Sequence, residues 1–161
     1  MPIILLLGEL GWMGPLAQRL LNENFHVLAA GPDVVKITRT IGENRYFTPL
    51  SLSLSEQDRL AYWIVQMQLL YGPLDQAVVH LVTEEAAPIV ATIIEAVGQY
   101  RHFPWDLYHV RSSTSEMLFC VTRDSQCRYH PVTVDVGDGA VNDATIAERV
   151  YRAVVRVNQD E

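Results

Sequence analysis

The chain starts with an uninterrupted apolar run at residues 3–7, which ends at Gly8. A run without polar alternation is typical of a strand that is buried on both faces, as in a parallel sheet. Gly8, Gly11 and Gly14 follow at intervals of three, and Pro15 comes next, where the first turn of a helix tolerates proline. This start predicts a strand, a tight turn and a helix, which favours an α/β fold.

The same alternation of strand and helix continues along the chain. Ser55 and Asp58 resemble a capping box at the start of the third helix, and residues 117–122 fit either a short strand or a loop. We expect one domain over residues 1–161, a three-layer, doubly wound α/β structure with a mainly parallel sheet of about six strands. The predicted strands are 3–7, 25–30, 46–50, 76–82, 105–111 and 129–136, and the predicted helices are 15–24, 34–40, 55–71, 83–98 and 142–157.

Composition and charge exclude several classes of function. With 49% hydrophobic and 19% charged residues the chain is of ordinary globular type. A formal net charge of −7 argues against nucleic acids and anionic membranes as partners, because a protein that binds either of them needs a basic surface. The two cysteines, Cys120 and Cys127, are too few for a disulfide framework and lack zinc-ligand spacing. We therefore expect a cytoplasmic protein without a structural metal.

The segment Gly8-Glu9-Leu10-Gly11-Trp12-Met13-Gly14 lies between the first strand and the first helix. In that position Gly8 allows a tight turn, Gly11 lets the backbone approach a pyrophosphate, and Gly14 allows the helix to pack closely on the strand. The helix N-terminus offers free N–H groups and a positive dipole end to the anion. The segment thus predicts a dinucleotide site.

The alternative is that the turn only joins strand to helix. Its spacing, G-x-x-G-x-x-G, differs from the usual G-x-G-x-x-G. Glu9 would repel a diphosphate if its carboxylate pointed inward, and Trp12 would either cover the site or block it. Both interpretations stay open at the level of sequence.

Selectivity for the cofactor is expected at the end of the second strand, where an acidic residue binds the ribose diol of NAD. Asp33 lies 19 residues after Gly14, close to the usual distance, but beyond the predicted strand end. It fits a ribose contact and a helix N-cap equally well. Since no Arg or Lys occupies the strand end, NAD is preferred over NADP.

Several segments resemble the short-chain dehydrogenase/reductase family. The turn at residues 8–14 looks like that family's glycine motif, residues 71–79 look like the run into its fourth strand, and residues 109–113 look like the end of its fifth strand. A compact, truncated group within that family is more similar still, with a W-x-L-x-H-V-x-x-S strand like residues 105–113. The resemblance implies a Rossmann fold, an NAD(P) cofactor, oxidoreductase activity and a homodimer.

The chain departs from that family at the catalytic residues. Family members use a tyrosine as acid and base with a lysine four residues later, because a phenol is a poor base at neutral pH without an adjacent cation. Lys36 is the one lysine, and none of the seven tyrosines is followed by a basic residue at that spacing. The Tyr-x-x-x-Lys unit is therefore absent.

Other side chains are weaker candidates for chemistry. His80 and His109 lie on predicted strands whose carboxyl ends border the cofactor crevice, and histidine titrates near neutral pH. Ser112 and Ser113 follow the fifth strand, and residues 83–85 (Thr-Glu-Glu) follow the fourth. Each also has an ordinary structural role as a core histidine, a turn residue or a helix start. Two functions remain: a nucleotide-binding oxidoreductase relative, or a non-catalytic Rossmann scaffold that acts through protein contacts or nucleotide sensing.

Overall fold

A computed structural model describes residues 1–8, 12–53, 55–80, 86–99, 104–112, 126–134 and 143–159. Residues 117–122 lie outside this description, so the alternatives for that segment are not decided. The strands are β1 (Ile3–Gly8), β2 (His26–Gly31), β3 (Phe47–Ser51), β4 (Gln76–His80), β5 (Trp105–Ser112) and β6 (Cys127–Val134). The helices are α1 (Met13–Asn22), α2 (Val34–Ile41), α3 (Gln57–Tyr71), α4 (Ala86–Gly98) and α5 (Asp143–Gln159).

The six strands form one sheet in the order β3-β2-β1-β4-β5-β6. Every pair of neighbours is parallel. The chain builds outward from β1 to β3 and then returns to add β4 on the other side of β1, so the winding direction reverses between β1 and β4. This confirms the predicted doubly wound sheet, and in such sheets ligands bind at the carboxyl edge where the winding reverses.

Helices cover both faces of the sheet, because successive strand residues point to opposite faces and nearly all of those in the central strands are apolar. One face packs against α3 and α4, and the other packs against α1, α2 and α5. The first face carries Leu5, Leu7, Leu28, Ala30, Ala77, Val79 and Leu107, and the second carries Ile4, Leu6, Val27, Ala29, Val78, Tyr108 and Val110.

The start of α3 differs from the prediction. The helix begins at Gln57 with Glu56 at the N-cap and no side-chain cap hydrogen bond, so Ser55 and Asp58 form no capping box. The Glu56 carboxylate instead accepts a hydrogen bond from the Ser53 backbone N–H at 3.2 Å. The N-cap of α3 is therefore Glu56, one residue later than the Ser55 that the sequence pattern indicates.

A buried carboxylate holds strand β6 to the sheet. Asp106 on β5 is 4% exposed. It accepts hydrogen bonds from the Arg128 guanidinium at 2.9 Å and lies 2.8 Å from Nε2 of His130.

None of the helices that the structure describes has the length and apolar character needed to span a membrane.

Candidate functional site

The carboxyl ends of β1, β2 and β4 lie side by side in the middle of the carboxyl edge of the sheet, and β1 leads from there towards α1. Gly8 pairs with His80 in the register of β1 and β4, and Gly31 ends the neighbouring strand β2. This region (Gly8, Trp12–Gly14, Gly31 and His80), called the β1–α1 corner below, coincides with the reversal in winding direction. It is where the fold places a ligand.

Two glycines allow the backbones to approach each other at the β1–α1 corner. A Cβ added to Gly31 would lie 2.3 Å from the Gly8 carbonyl oxygen, and Gly31 has a φ of +155°. A Cβ added to Gly8 would lie 2.7 Å from the His80 carbonyl oxygen. The tight turn predicted for Gly8 is thus a close contact between strand ends. The role of Gly31 was not predicted from the sequence.

Gly14 does not have the role predicted for it. No described atom lies within 4 Å of a Cβ built on this residue. The close packing of helix on strand therefore does not require a glycine there, and that prediction is wrong. The reason is that the large side chains Met13 and Leu16, both buried, fill the interface between α1 and the sheet instead.

The start of α1 offers main-chain donors. The helix begins at Met13, its first turn carries no acidic residue, and its N-cap residue makes no side-chain hydrogen bond. Pro15 has no N–H, and the Leu16 N–H is bonded to the Trp12 carbonyl at 3.3 Å. Among the described residues the N–H groups of Met13 and Gly14 thus have no side-chain acceptor, and a helix N-terminus of this kind favours an anion.

Trp12 fills the β1–α1 corner with its own side chain. The residue is 0% exposed. Its Cζ2 atom lies 3.1 Å from the Cβ position of Gly8, and the indole meets the His80 ring edge to face at a centroid distance of 5.6 Å. Its Nε1–H has no hydrogen-bond partner within the described parts of the chain. The sequence left open whether Trp12 covers the predicted ligand site or blocks it. The structure places the indole in the β1–α1 corner, which is compatible with both.

The two candidate histidines are not brought together. His80 packs on Trp12, on the α1 side of the sheet, whereas His109 lies on the next strand, β5, and pairs in register with Val79. His109 Nδ1 lies 2.7 Å from the Tyr129 hydroxyl, and the residue is 1% exposed. His109 is therefore a buried, hydrogen-bonded histidine at some depth in the sheet.

His80 is the candidate that borders the β1–α1 corner. It ends β4 and is 8% exposed, and its Nδ1 has no partner among the described residues. Burial lowers the pKa of its imidazole below the usual value of 6.5, because desolvation penalises the charged form. The ring is thus mostly neutral near pH 7, and in that form it can accept a proton.

Two other candidates, Asp33 and Ser112, lie at the ends of other elements. Asp33 occupies the N-cap position of α2, two residues beyond β2, but its side chain makes no cap hydrogen bond. Ser112 ends β5, where it pairs in register with Val134. The other predicted residues lie outside the described residues: Glu9, Leu10, Gly11, Thr83, Glu84, Glu85 and Ser113.

The buried histidines predict how stability depends on pH. Burial lowers the pKa of both His26 and His80 in the folded state, so the unfolded chain binds more protons below pH 6.5. Stability from these groups is fully present above pH 6.5 and falls as the pH drops from there through the folded-state values. We expect the free energy of unfolding, measured by urea titration, to decrease between pH 7 and pH 5.5, by at most about 1.4 kcal/mol per pH unit for each histidine.

A double variant, His26→Gln with His80→Gln, is the control for this pH dependence. Its urea midpoint should change less over the same interval than that of the unmodified protein. An equally steep pH dependence in the double variant would contradict the assignment.

Comparison with known proteins supports the fold. No protein-family model matches the chain, and no curated protein matches its sequence. Serine dehydrogenase from Escherichia coli superposes with a TM-score of 0.70 at 10% identity, over 92% of this chain and 89% of that protein. A short-chain dehydrogenase from Bacillus anthracis gives 0.58 at 11% identity, over 70% of this chain and 55% of that one.

A β-ketoacyl-[ACP] reductase from Bacteroides thetaiotaomicron gives a TM-score of 0.55 at 12% identity and covers 68% of this chain. The chain spans only 55% and 60% of the lengths of the Bacillus and Bacteroides proteins. At these sequence identities the similarity shows the fold alone. The chain has the Rossmann-type fold of the short-chain dehydrogenases/reductases.

Proposed function

We propose that this chain is a nucleotide-binding Rossmann protein whose β1–α1 corner holds the diphosphate of a dinucleotide, NAD in preference to NADP. The observation that carries the proposal is the uncapped start of α1 at the point where the sheet reverses its winding. The N–H groups of Met13 and Gly14 would donate to the diphosphate, and Leu10 and Gly11, which precede them in the sequence, would add further main-chain contacts. Asp33, two residues past β2, would contact the ribose diol.

The residues at the corner fit such a ligand electrostatically. An N–H group without an acceptor is unfavourable, and the corner has the N–H groups of Met13 and Gly14 at the uncapped start of α1. An anionic group would satisfy donors of this kind. No acidic side chain stands in the first turn of α1 to repel it.

The chemistry open to this chain is narrower than that of its structural neighbours. A bound nicotinamide would supply hydride transfer, but the chain has no tyrosine–lysine pair to move the accompanying proton. His80 is a titratable group in contact with Trp12 at the corner, and its neutral ring would accept one proton. Ser112 would lie beside a substrate oxygen at the end of β5. Oxidoreductase activity, if the chain has it, would therefore depend on a histidine.

Calorimetric titration with NAD, NADH, NADP and NADPH tests the proposal. We expect binding of at least one form in the micromolar to millimolar range, tighter for NAD(H) than for NADP(H). Asp33→Asn should weaken NAD(H) binding and leave NADP(H) binding less affected, because only the diol of NAD needs the carboxylate. No heat of binding from any of the four at millimolar concentration would refute the proposal.

A second function, a non-catalytic scaffold that acts through protein contacts or nucleotide sensing, is favoured by one observation. The Trp12 indole fills the corner that a cofactor would need. A scaffold would require no open cleft and no Tyr–Lys pair. Reproducible hydride transfer that is lost in Gly11→Asp would exclude this alternative.

A homodimer is part of the same proposal. Helix α3 exposes four large apolar side chains, Tyr62 at 67%, Leu69 at 59%, Leu70 at 68% and Tyr71 at 46%. Such side chains are better accommodated between subunits than in water. Light scattering should give twice the chain mass, and Leu70→Glu should shift it towards the monomer. A monomeric mass for the unmodified chain would refute the dimer.

A further inference from the structure

The indole of Trp12 and the proposed ligand compete for one position. Trp12 directly precedes α1, so its side chain starts next to the Met13 and Gly14 N–H groups that would donate to an anion. The side chain then lies over Gly8 and against His80, at the carboxyl ends of the two central strands. A diphosphate at the α1 N-terminus would have to approach across this same surface.

The closed position of the indole has a cost. Trp12 Nε1 and His80 Nδ1 are both buried, and neither has a hydrogen-bond partner in the described parts of the chain. Buried polar atoms of this kind lose their bonds to water without replacing them, which raises the free energy of the closed state. The hydrophobic contacts of the indole stabilise that state and its unmade hydrogen bonds weaken it, so the two contributions oppose each other.

We propose that Trp12 is the affinity-determining gate of the β1–α1 corner, and that a nucleoside diphosphate binds only when the indole has left the space over Gly8 and His80. This inference rests on the proposed nucleotide site. Because only the fraction of molecules with the indole displaced can bind, the apparent dissociation constant of the unmodified chain is raised by the inverse of that fraction. A smaller side chain at position 12 removes this penalty.

The test is a calorimetric titration with ADP and with NAD of four proteins: the unmodified chain, Trp12→Phe, Trp12→Ala and Trp105→Phe. Trp105 is the matched control, because it is also buried but begins β5, at the opposite edge of the sheet. Affinity should rise from Trp12 to Phe to Ala, by about tenfold or more in total. Trp105→Phe should bind as the unmodified chain does.

Fluorescence gives a second measurement that does not need Trp12→Ala to fold. The difference in emission between the unmodified chain and Trp12→Phe isolates the signal of Trp12 from those of Trp63 and Trp105. Saturating ADP should shift this difference signal to longer wavelength and increase its quenching by acrylamide, because the displaced indole reaches water.

The outcomes separate the gate from the nucleotide site. If the unmodified chain binds ADP or NAD but Trp12→Ala binds no tighter, or if the Trp12 emission does not change on binding, the gate is overturned and the site remains. If Trp12→Ala binds and the unmodified chain does not, the indole covers the corner permanently, which supports its blocking role and overturns the proposed function. If no folded variant binds, both fall.

Discussion

Gly31→Ala is expected to destabilise the protein by about 2 to 6 kcal/mol, of which about 1 to 3 come from the backbone conformation and about 1 to 3 from steric overlap. The new Cβ would lie 2.3 Å from the Gly8 carbonyl oxygen, and the φ of +155° is one that side-chain-bearing residues rarely adopt. Because the obstructing atom belongs to a central strand, it cannot rotate away as a side chain could. Urea unfolding followed by circular dichroism measures the loss.

The matched control for Gly31 is Gly14→Ala. No described atom obstructs a Cβ at Gly14, and the residue lies within α1, where alanine is favoured over glycine by up to about 1 kcal/mol. We expect this variant to be as stable as the unmodified chain or slightly more so. Equal destabilisation by the two substitutions would contradict the account of the close contact between Gly8 and Gly31.

Trp12→Ala is expected to cost about 3 to 5 kcal/mol, the usual loss for removing a large aromatic side chain from a core. Trp12 is 0% exposed and belongs to the core cluster between the sheet and α1, α2 and α5. Trp12→Phe should cost much less, under about 1.5 kcal/mol, because it also removes a buried N–H that lacks a partner. Both values come from urea unfolding at pH 7.5.

The contrast between these two substitutions is informative. If Trp12→Phe cost as much as Trp12→Ala, the indole N–H would have to be stabilised by a hydrogen bond, and the opposition between packing and unmade bonds at the corner would be wrong. If both were nearly neutral, the indole would not be a core side chain at all.

The architecture was predictable because it depends on features that local sequence carries. The apolar run at residues 3–7 is buried at every position, as a central parallel strand must be. The helix α2 is bounded by a turn and a glycine and was predicted to within one residue, over 34–40 against Val34–Ile41. Where periodicity and turn residues agree, strand and helix limits follow closely.

The site was less predictable, because its geometry depends on contacts between segments distant in sequence. The contact of Gly31 with Gly8 depends on the register of two strands, and the packing of Trp12 on His80 joins residues 68 positions apart. Two glycines in similar patterns, Gly8 and Gly14, turn out to have opposite steric surroundings. Sequence spacing alone cannot distinguish them, since it does not show towards which neighbouring atoms a Cβ at each position would point.

The buried polar side chains were missed for the same reason. Asp106 and Gln68 lie on a strand and a helix in positions that periodicity would assign to apolar residues. Their partners are far along the chain: Asp106 accepts from Arg128, and Gln68 donates to the Ala96 carbonyl at 3.1 Å. A buried polar group is tolerated when such partners exist, which only the folded structure reveals.

A crystal structure of the protein soaked with ADP tests the central claim most directly. The account predicts a diphosphate within hydrogen-bond distance of the Met13 and Gly14 N–H groups, with the Trp12 indole moved away from Gly8 and His80. At a saturating concentration of ADP, an indole that keeps its place at the β1–α1 corner, with no ligand at the start of α1, would contradict the account.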